Sequence, residues 1–265
     1  MGEYKKFLLY LTVFICGFST MGIELTASRL LAPFFGASIF VWTNIIGIIL
    51  ISLSIGYFFG GRFADRYPHE KYFYKFSIIS GLLIGVIPFL SSLILPISIQ
   101  AIVNSSSNDF FLSLFACIIL FSFPTIFLGA IVPYAIRINS KKIERVGKTS
   151  GRIYAISTIG SIMGVYIPTI ILVPMIGTQL SIILFSFLVV LISSISLLFV
   201  IRVSTIKKIL NFFIVLTILF SITFFMNPPT FGEIAENAFD KTNVIYETET
   251  PYSYIFVDQN GKNTY

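Results

Sequence analysis

Apolar residues in this chain gather into runs too long for an ordinary soluble fold. Seven runs, at 7–31, 39–60, 76–99, 110–136, 153–176, 180–201 and 209–226, each hold about 18 residues or more, enough for a helix to cross roughly 30 Å of hydrocarbon. The runs are continuous, whereas membrane β-barrel strands alternate apolar and polar residues over segments of about ten. The expected fold class is therefore an all-α polytopic membrane protein with about seven transmembrane helices. Composition agrees: 56% of residues are hydrophobic and 11% charged, against about 25% charged in soluble domains. The transmembrane domain is expected over 1–226 and a soluble tail over 227–265.

The first run follows Lys5 and Lys6, as a signal peptide core would. It is too long for one, contains Glu24, and lacks a small-x-small cleavage site after a short core, so it is read as a retained span. Cys16 and Cys117 both fall inside apolar runs, which suggests neither a disulfide framework nor a metal cluster.

Charge distribution orients the spans. Of the 18 Lys and Arg residues, 15 precede the first run or follow the second, fourth and sixth, whereas the connections after the third and fifth carry none. The positive-inside rule then puts the amino terminus in the cytoplasm of a multi-pass cell-membrane protein. Seven crossings leave the tail outside. The net charge of +6 is explained by this topology, and no basic stripe interleaved with stacking aromatics points to nucleic acid.

Polar groups inside the runs are the candidate functional residues. "GFSTMGIELTASRLLAPFFGASIFVWTNIIG", residues 17–47, carries Glu24 and Arg29. A carboxylate in hydrocarbon is costly, so Glu24 is a candidate for a substrate or ion pathway. Arg29 is five positions on, about 140° around a helix, so the two do not share a face. Both also suit a structural role, snorkelling to the outer interface or bridging helices. Asn44 is a third pathway candidate, beside Trp42 at the expected outer end of the second span.

"GYFFGGRFADRYPHEK", residues 56–71, closes the second span. Arg62, Asp65 and Arg66 form a candidate cytoplasmic gate loop able to bridge helix ends and hold or release a conformation; an ordinary solvated, orientation-setting loop fits the same residues. Gly56 with Gly60, and Gly160 with Gly164, are four apart and read as helix-packing positions. Pro124 and Pro133 in the fourth run, and Pro168 and Pro174 in the fifth, suggest interrupted helices of the kind that expose backbone to a cavity. His69, the single histidine, lies in a charged loop. No phosphate-cradling loop, catalytic triad or Cys/His cluster is visible, so catalytic and metal residues are expected to be none.

"ELTASRLLAPFFGASIFVWTNIIG", "GYFFGGRFADR", "PTIFLGAIVPYAIR" and "GRIYAISTIGSIMGVYIPTIILVPMIGT" together resemble the membrane domain of the membrane-bound spermidine synthase-like proteins. In that family a helical domain, similar to part of a major facilitator transporter, precedes an aminopropyltransferase-like domain. The tail "YETETPYSYIFVDQNGKNTY", residues 246–265, reads as a β-hairpin, with Asn260-Gly261 suited to a type I′ turn. It resembles the first hairpin of the aminopropyltransferase domain.

The resemblance implies a membrane domain that anchors or partners a catalytic domain in polyamine biosynthesis, with decarboxylated S-adenosylmethionine as donor once that domain is supplied. The chain alone is expected to be inactive. Expected partners are the lipid bilayer, a separate aminopropyltransferase-like subunit and a second copy in a homodimer. A cytosolic donor would favour a tail on the inside, so 212–226, the shortest apolar part, is alternatively an interfacial or re-entrant segment. Two other function classes remain open: a stand-alone facilitator-like transporter of a small, cationic solute, and a structural membrane scaffold.

Overall fold

The computed structural model describes residues 3–104, 109–140, 146–200, 244–249, 254–260 and 263–264. Among these, six helical segments are long and apolar enough to cross a membrane. They are α1 (Glu3–Phe35), α2 (Ile39–Arg66), α3 (Glu70–Asn104), α4 (Asp109–Asn139), a composite fifth segment, and α7 (Thr178–Val200). The composite comprises α5 (Val146–Ile167), a π-helical turn (Pro168–Leu172) and α6 (Val173–Ile176). The expected seventh span, 209–226, lies outside the described residues.

Each helix outruns its apolar run because polar residues at its ends also adopt helical geometry. Where the chain must reverse, glycine supplies the left-handed backbone. Gly36 (φ 72°) follows α1 and Gly177 (φ 81°) follows α6, and their amides donate to Ala32 O (2.8 Å) and Val173 O (2.9 Å), closing the last helical turns. Ser38 then caps α2, its Oγ accepting from Val41 N–H at 3.4 Å.

The fourth span is not interrupted, contrary to the sequence expectation. α4 continues through Pro124 and Pro133. Hydroxyls bond to the backbone beside Pro124, Ser80 Oγ donating to Pro124 O (3.3 Å) and Thr125 Oγ1 to Phe121 O (2.6 Å). In the composite segment Pro168 opens the π-helical turn, and Pro174 lies at the second residue of α6. The helix there widens instead of breaking.

The bundle is built from three close pairs. α2 packs on α4, α1 on α5, and α3 on α7. Gly56 and Gly60 meet the α4 backbone at Ile126, Gly129 and Ala130, while Gly129 in turn lies against Leu53. Gly160 and Gly164 meet the backbone of Phe14 and Phe18 on α1, where Gly17 faces Ser157. Gly81 and Gly85 lie against Val190 and Ser186. Small residues admit such close approach, which takes the place of a hydrophobic driving force in lipid.

The interior is lined by Ile23, Leu31, Ile45, Ile49, Phe121 and Phe185, among others. It also holds hydroxyls: Ser193 Oγ donates to Ser77 Oγ (2.7 Å) and Ser186 Oγ to Gly81 O (2.7 Å), fastening α7 to α3. The outer surface carries exposed Leu50, Phe58, Phe59, Phe115, Ile162 and Met175. Apolar side chains on that scale suit hydrocarbon, and the bundle is consistent with a multi-pass membrane protein.

In the tail, β1 (Val244–Glu249), β2 (Tyr254–Asn260) and β3 (Asn263–Thr264) pair antiparallel in that order. β2 and β3 pair through Gln259↔Thr264 and Asn260↔Asn263, and Gly261 of the expected Asn260-Gly261 turn lies outside the described residues.

Candidate functional site

Alternating helix directions bring the ends of α2 and α4 and the starts of α1, α3 and α5 to one rim of the bundle. That rim carries Lys5, Lys6, Arg62, Arg66, Lys71, Lys75, Arg137, Lys148 and Arg152. Several cross-helix contacts hold it. Lys5 Nζ donates to Glu70 Oε2 (3.3 Å), joining α1 to α3. Asn139 Nδ2 donates to the Tyr10 hydroxyl (3.0 Å), joining α4 to α1. The phenol of Tyr134, fully buried on α4, donates to the carbonyl of Tyr67 in the short α2–α3 loop. Around it stack Phe63, Phe73 and Phe76, with ring centroids 6.1–6.4 Å from that of Tyr134.

Arg62, Asp65 and Arg66, expected in a loop, all lie in the final turns of α2, and Asp65 accepts from Arg137 Nε at 2.6 Å, linking the ends of α2 and α4. The two side chains are 71% and 47% exposed, and a pair so open to solvent contributes about 0–1 kcal/mol. It can therefore break and re-form at little cost. Arg62 and Arg66 do not share this contact. The Arg62 guanidinium lies 4.3 Å from the Phe58 ring centroid, and that of Arg66 5.6 Å from the Tyr67 centroid, both cation–π distances. His69 is exposed, its ring edge-on to Tyr72 at 6.2 Å.

The expected pathway residues are placed differently. Asn44 is buried, and its Nδ2 donates to Phe110 O and Ser113 Oγ on α4, both at 2.9 Å. With its amide so engaged, Asn44 clamps α2 to α4 at the opposite end of the bundle from the basic rim. Glu24 and Arg29 are half-buried on α1. Glu24 makes no hydrogen bond or ion pair among the described residues. Cys16 and Cys117 are buried and unbridged, with Cys16 Sγ 3.3 Å from Ser77 Oγ. No cluster of three or more potential metal ligands occurs among the described residues.

Sequence reasoning missed Arg137 as the partner of Asp65, because it counted only as one more basic loop residue. It also missed Tyr134, whose signal was a polar-tipped aromatic inside "VPYAIR": a buried phenol needs an acceptor.

No family model matches the chain, and no solved structure matches it. One curated protein is similar over nearly the whole of this chain. It is polyamine aminopropyltransferase 2 of Aquifex aeolicus, 25% identical over 257 residues, covering 96% of this chain and 48% of that protein. The chain thus spans about half the length of the curated relative it matches. This weak similarity fits a link to spermidine synthase-like proteins.

Proposed function

We propose that the helical bundle is the integral membrane part of a spermidine synthase-like protein, anchoring or partnering an aminopropyltransferase domain encoded outside these 265 residues. The similarity to half of a polyamine aminopropyltransferase, borne by six apolar helices, carries this reading. Residues 227–265 then begin the catalytic domain, the basic rim faces the cytoplasm, and decarboxylated S-adenosylmethionine is a substrate of the appended part. The bundle itself supplies membrane attachment, since fold alone does not fix an activity.

The test expresses this chain with and without the coding sequence that follows Tyr265, and assays aminopropyl transfer from decarboxylated S-adenosylmethionine to putrescine in isolated membranes. Transfer is expected only with the following sequence present, as a fusion or a copurifying subunit. Turnover by the purified 265-residue chain alone, or a following sequence that neither encodes nor binds a transferase, overturns the proposal.

Glu24, half-buried and with no hydrogen bond or ion pair among the described residues, favours a second reading, a facilitator-like transporter of a small cationic solute. It requires polyamine uptake into proteoliposomes that Glu24→Gln abolishes, and equal uptake by both proteins removes it.

A further inference from the structure

At the basic rim a cleft of about 430 Å³ opens between α2, α3 and α4, within the roughly 300–1,000 Å³ typical of ligand sites. Its lining is nearly all hydrocarbon. Phe59 and Phe63 of α2, Phe76 of α3 and Phe127 of α4 form the walls, and Gly60 with Ala130 leaves room between them. Only two charged side chains line it, Arg62 and Arg66, one helical turn apart on the same face of α2.

Among the described residues, the acids near this end of α2 are engaged elsewhere. Asp65, the only acid in α2, holds Arg137, and Glu70, at the start of α3, holds Lys5. Neither Arg62 nor Arg66 has an ion-pair partner among the described residues. Arg62 instead lies back on Phe58, itself 55% exposed on the bundle exterior. This places an exposed guanidinium beside apolar surface at the mouth of the cleft. A soluble anion would satisfy the two arginines but gain nothing from four phenyl walls, and a neutral lipid would fill the cleft but gain nothing from the charge.

We propose that this cleft binds an anionic phospholipid of the adjoining leaflet, its phosphate held by Arg62 and Arg66 and an acyl chain seated against Phe59, Phe63, Phe76 and Phe127. Guanidinium forks match phosphate geometry. The Asp65 carboxylate bonds Arg137 and makes no ion pair with either of the two cations among the described residues. The site belongs to the bundle whichever reading of its function holds.

The test measures lipid retention by native mass spectrometry on the 265-residue chain extracted from nanodiscs of phosphatidylglycerol or phosphatidylcholine. Phosphatidylglycerol is expected to remain bound at least tenfold better than phosphatidylcholine. Arg62→Gln/Arg66→Gln is expected to erase that preference, whereas Lys71→Gln/Lys75→Gln, which removes the same charge from the same rim, changes it by less than twofold. Glycerol 3-phosphate in excess should not displace the lipid.

Equal retention of the two lipids, equal effects of the two double variants, or displacement by glycerol 3-phosphate each overturns the proposal. Melting curves check that the variants are folded. Should the arginine double variant fail to fold, Arg62→Gln alone carries the test, with an expected threefold loss of preference, and an unchanged preference in it overturns the site.

Discussion

Two glycines on α2 should respond to the same substitution with opposite signs. In Gly56→Ala the new methyl would meet the carbonyl of Ile126 and come within 3.0 Å of Gly129 Cα and 3.1 Å of Ala130 N. Those neighbours are backbone of a packed helix and cannot rotate away, so α2 and α4 must separate. Overpacking of this kind costs about 1–3 kcal/mol, set against about 1 kcal/mol gained because alanine is the better helix former. The net expectation is a loss of about 1–2 kcal/mol.

At Gly47 no heavy atom lies within 4 Å of the added carbon. Gly47→Ala should therefore stabilise by up to about 1 kcal/mol. The assay is helix loss followed by circular dichroism during titration of mixed micelles with denaturing detergent, with thermal melting beside it. On the scale of domains of 150–250 residues, each kcal/mol moves the midpoint by about 2–4 °C. Equal responses at the two positions, or a Gly56→Ala protein at least as stable as Gly47→Ala, would refute the argument from close helix approach.

Asn44→Ala removes both bonds to α4 and leaves Ser113 to the Phe110 carbonyl, a loss of about 1 kcal/mol in the same titration; an unchanged midpoint would show the clamp to be idle. A double-mutant cycle on Asp65→Asn and Arg137→Gln should return a coupling below about 1 kcal/mol, and several times that would mean the pair is shielded from solvent. Tyr134→Phe should speed hydrogen exchange at the His69 and Tyr72 amides, which bond to Tyr67 O and His69 O, and unchanged protection would count against the phenol as the loop's anchor. Maleimide should label Cys16 and Cys117 only after the bundle is unfolded, and ready labelling of either in the folded protein would contradict its burial.

Features that depend on local composition were legible in the sequence. Six of the seven apolar runs coincide with helices long and apolar enough to cross a bilayer, and the seventh lies outside the described residues. The spacing of Gly56 with Gly60 and of Gly160 with Gly164 marked two faces of close approach. What sequence could not show was which helix stands beside which. Asp65 meets Arg137, 72 positions away, and Asn44 meets Ser113, 69 away, so both pairs exist only once α2 is laid against α4. The sequence accordingly did not show that the Asn44 amide bonds α4.

The prolines misled for a related reason. A proline removes one backbone donor wherever it stands, but whether the helix breaks depends on the hydroxyl or neighbouring helix that takes up the orphaned group. At Pro124 the lost bond is the one to Leu120 O, and Ser80 of α3 ties the proline's own carbonyl to a neighbouring helix. The cleft nonetheless borders the stretch of α4 between its two prolines, at Ile126, Phe127 and Ala130.

Backbones pressed together through glycine leave little freedom for one member of a couple to slide along or roll over the other. Mechanically, then, the six crossings behave as three stiff beams, α1 with α5, α2 with α4 and α3 with α7. Any rearrangement that a signal from the lipid or from an attached domain sets going should travel along the seams between these beams, where α1 meets α7 and α3 meets α4, and leave each beam unbent.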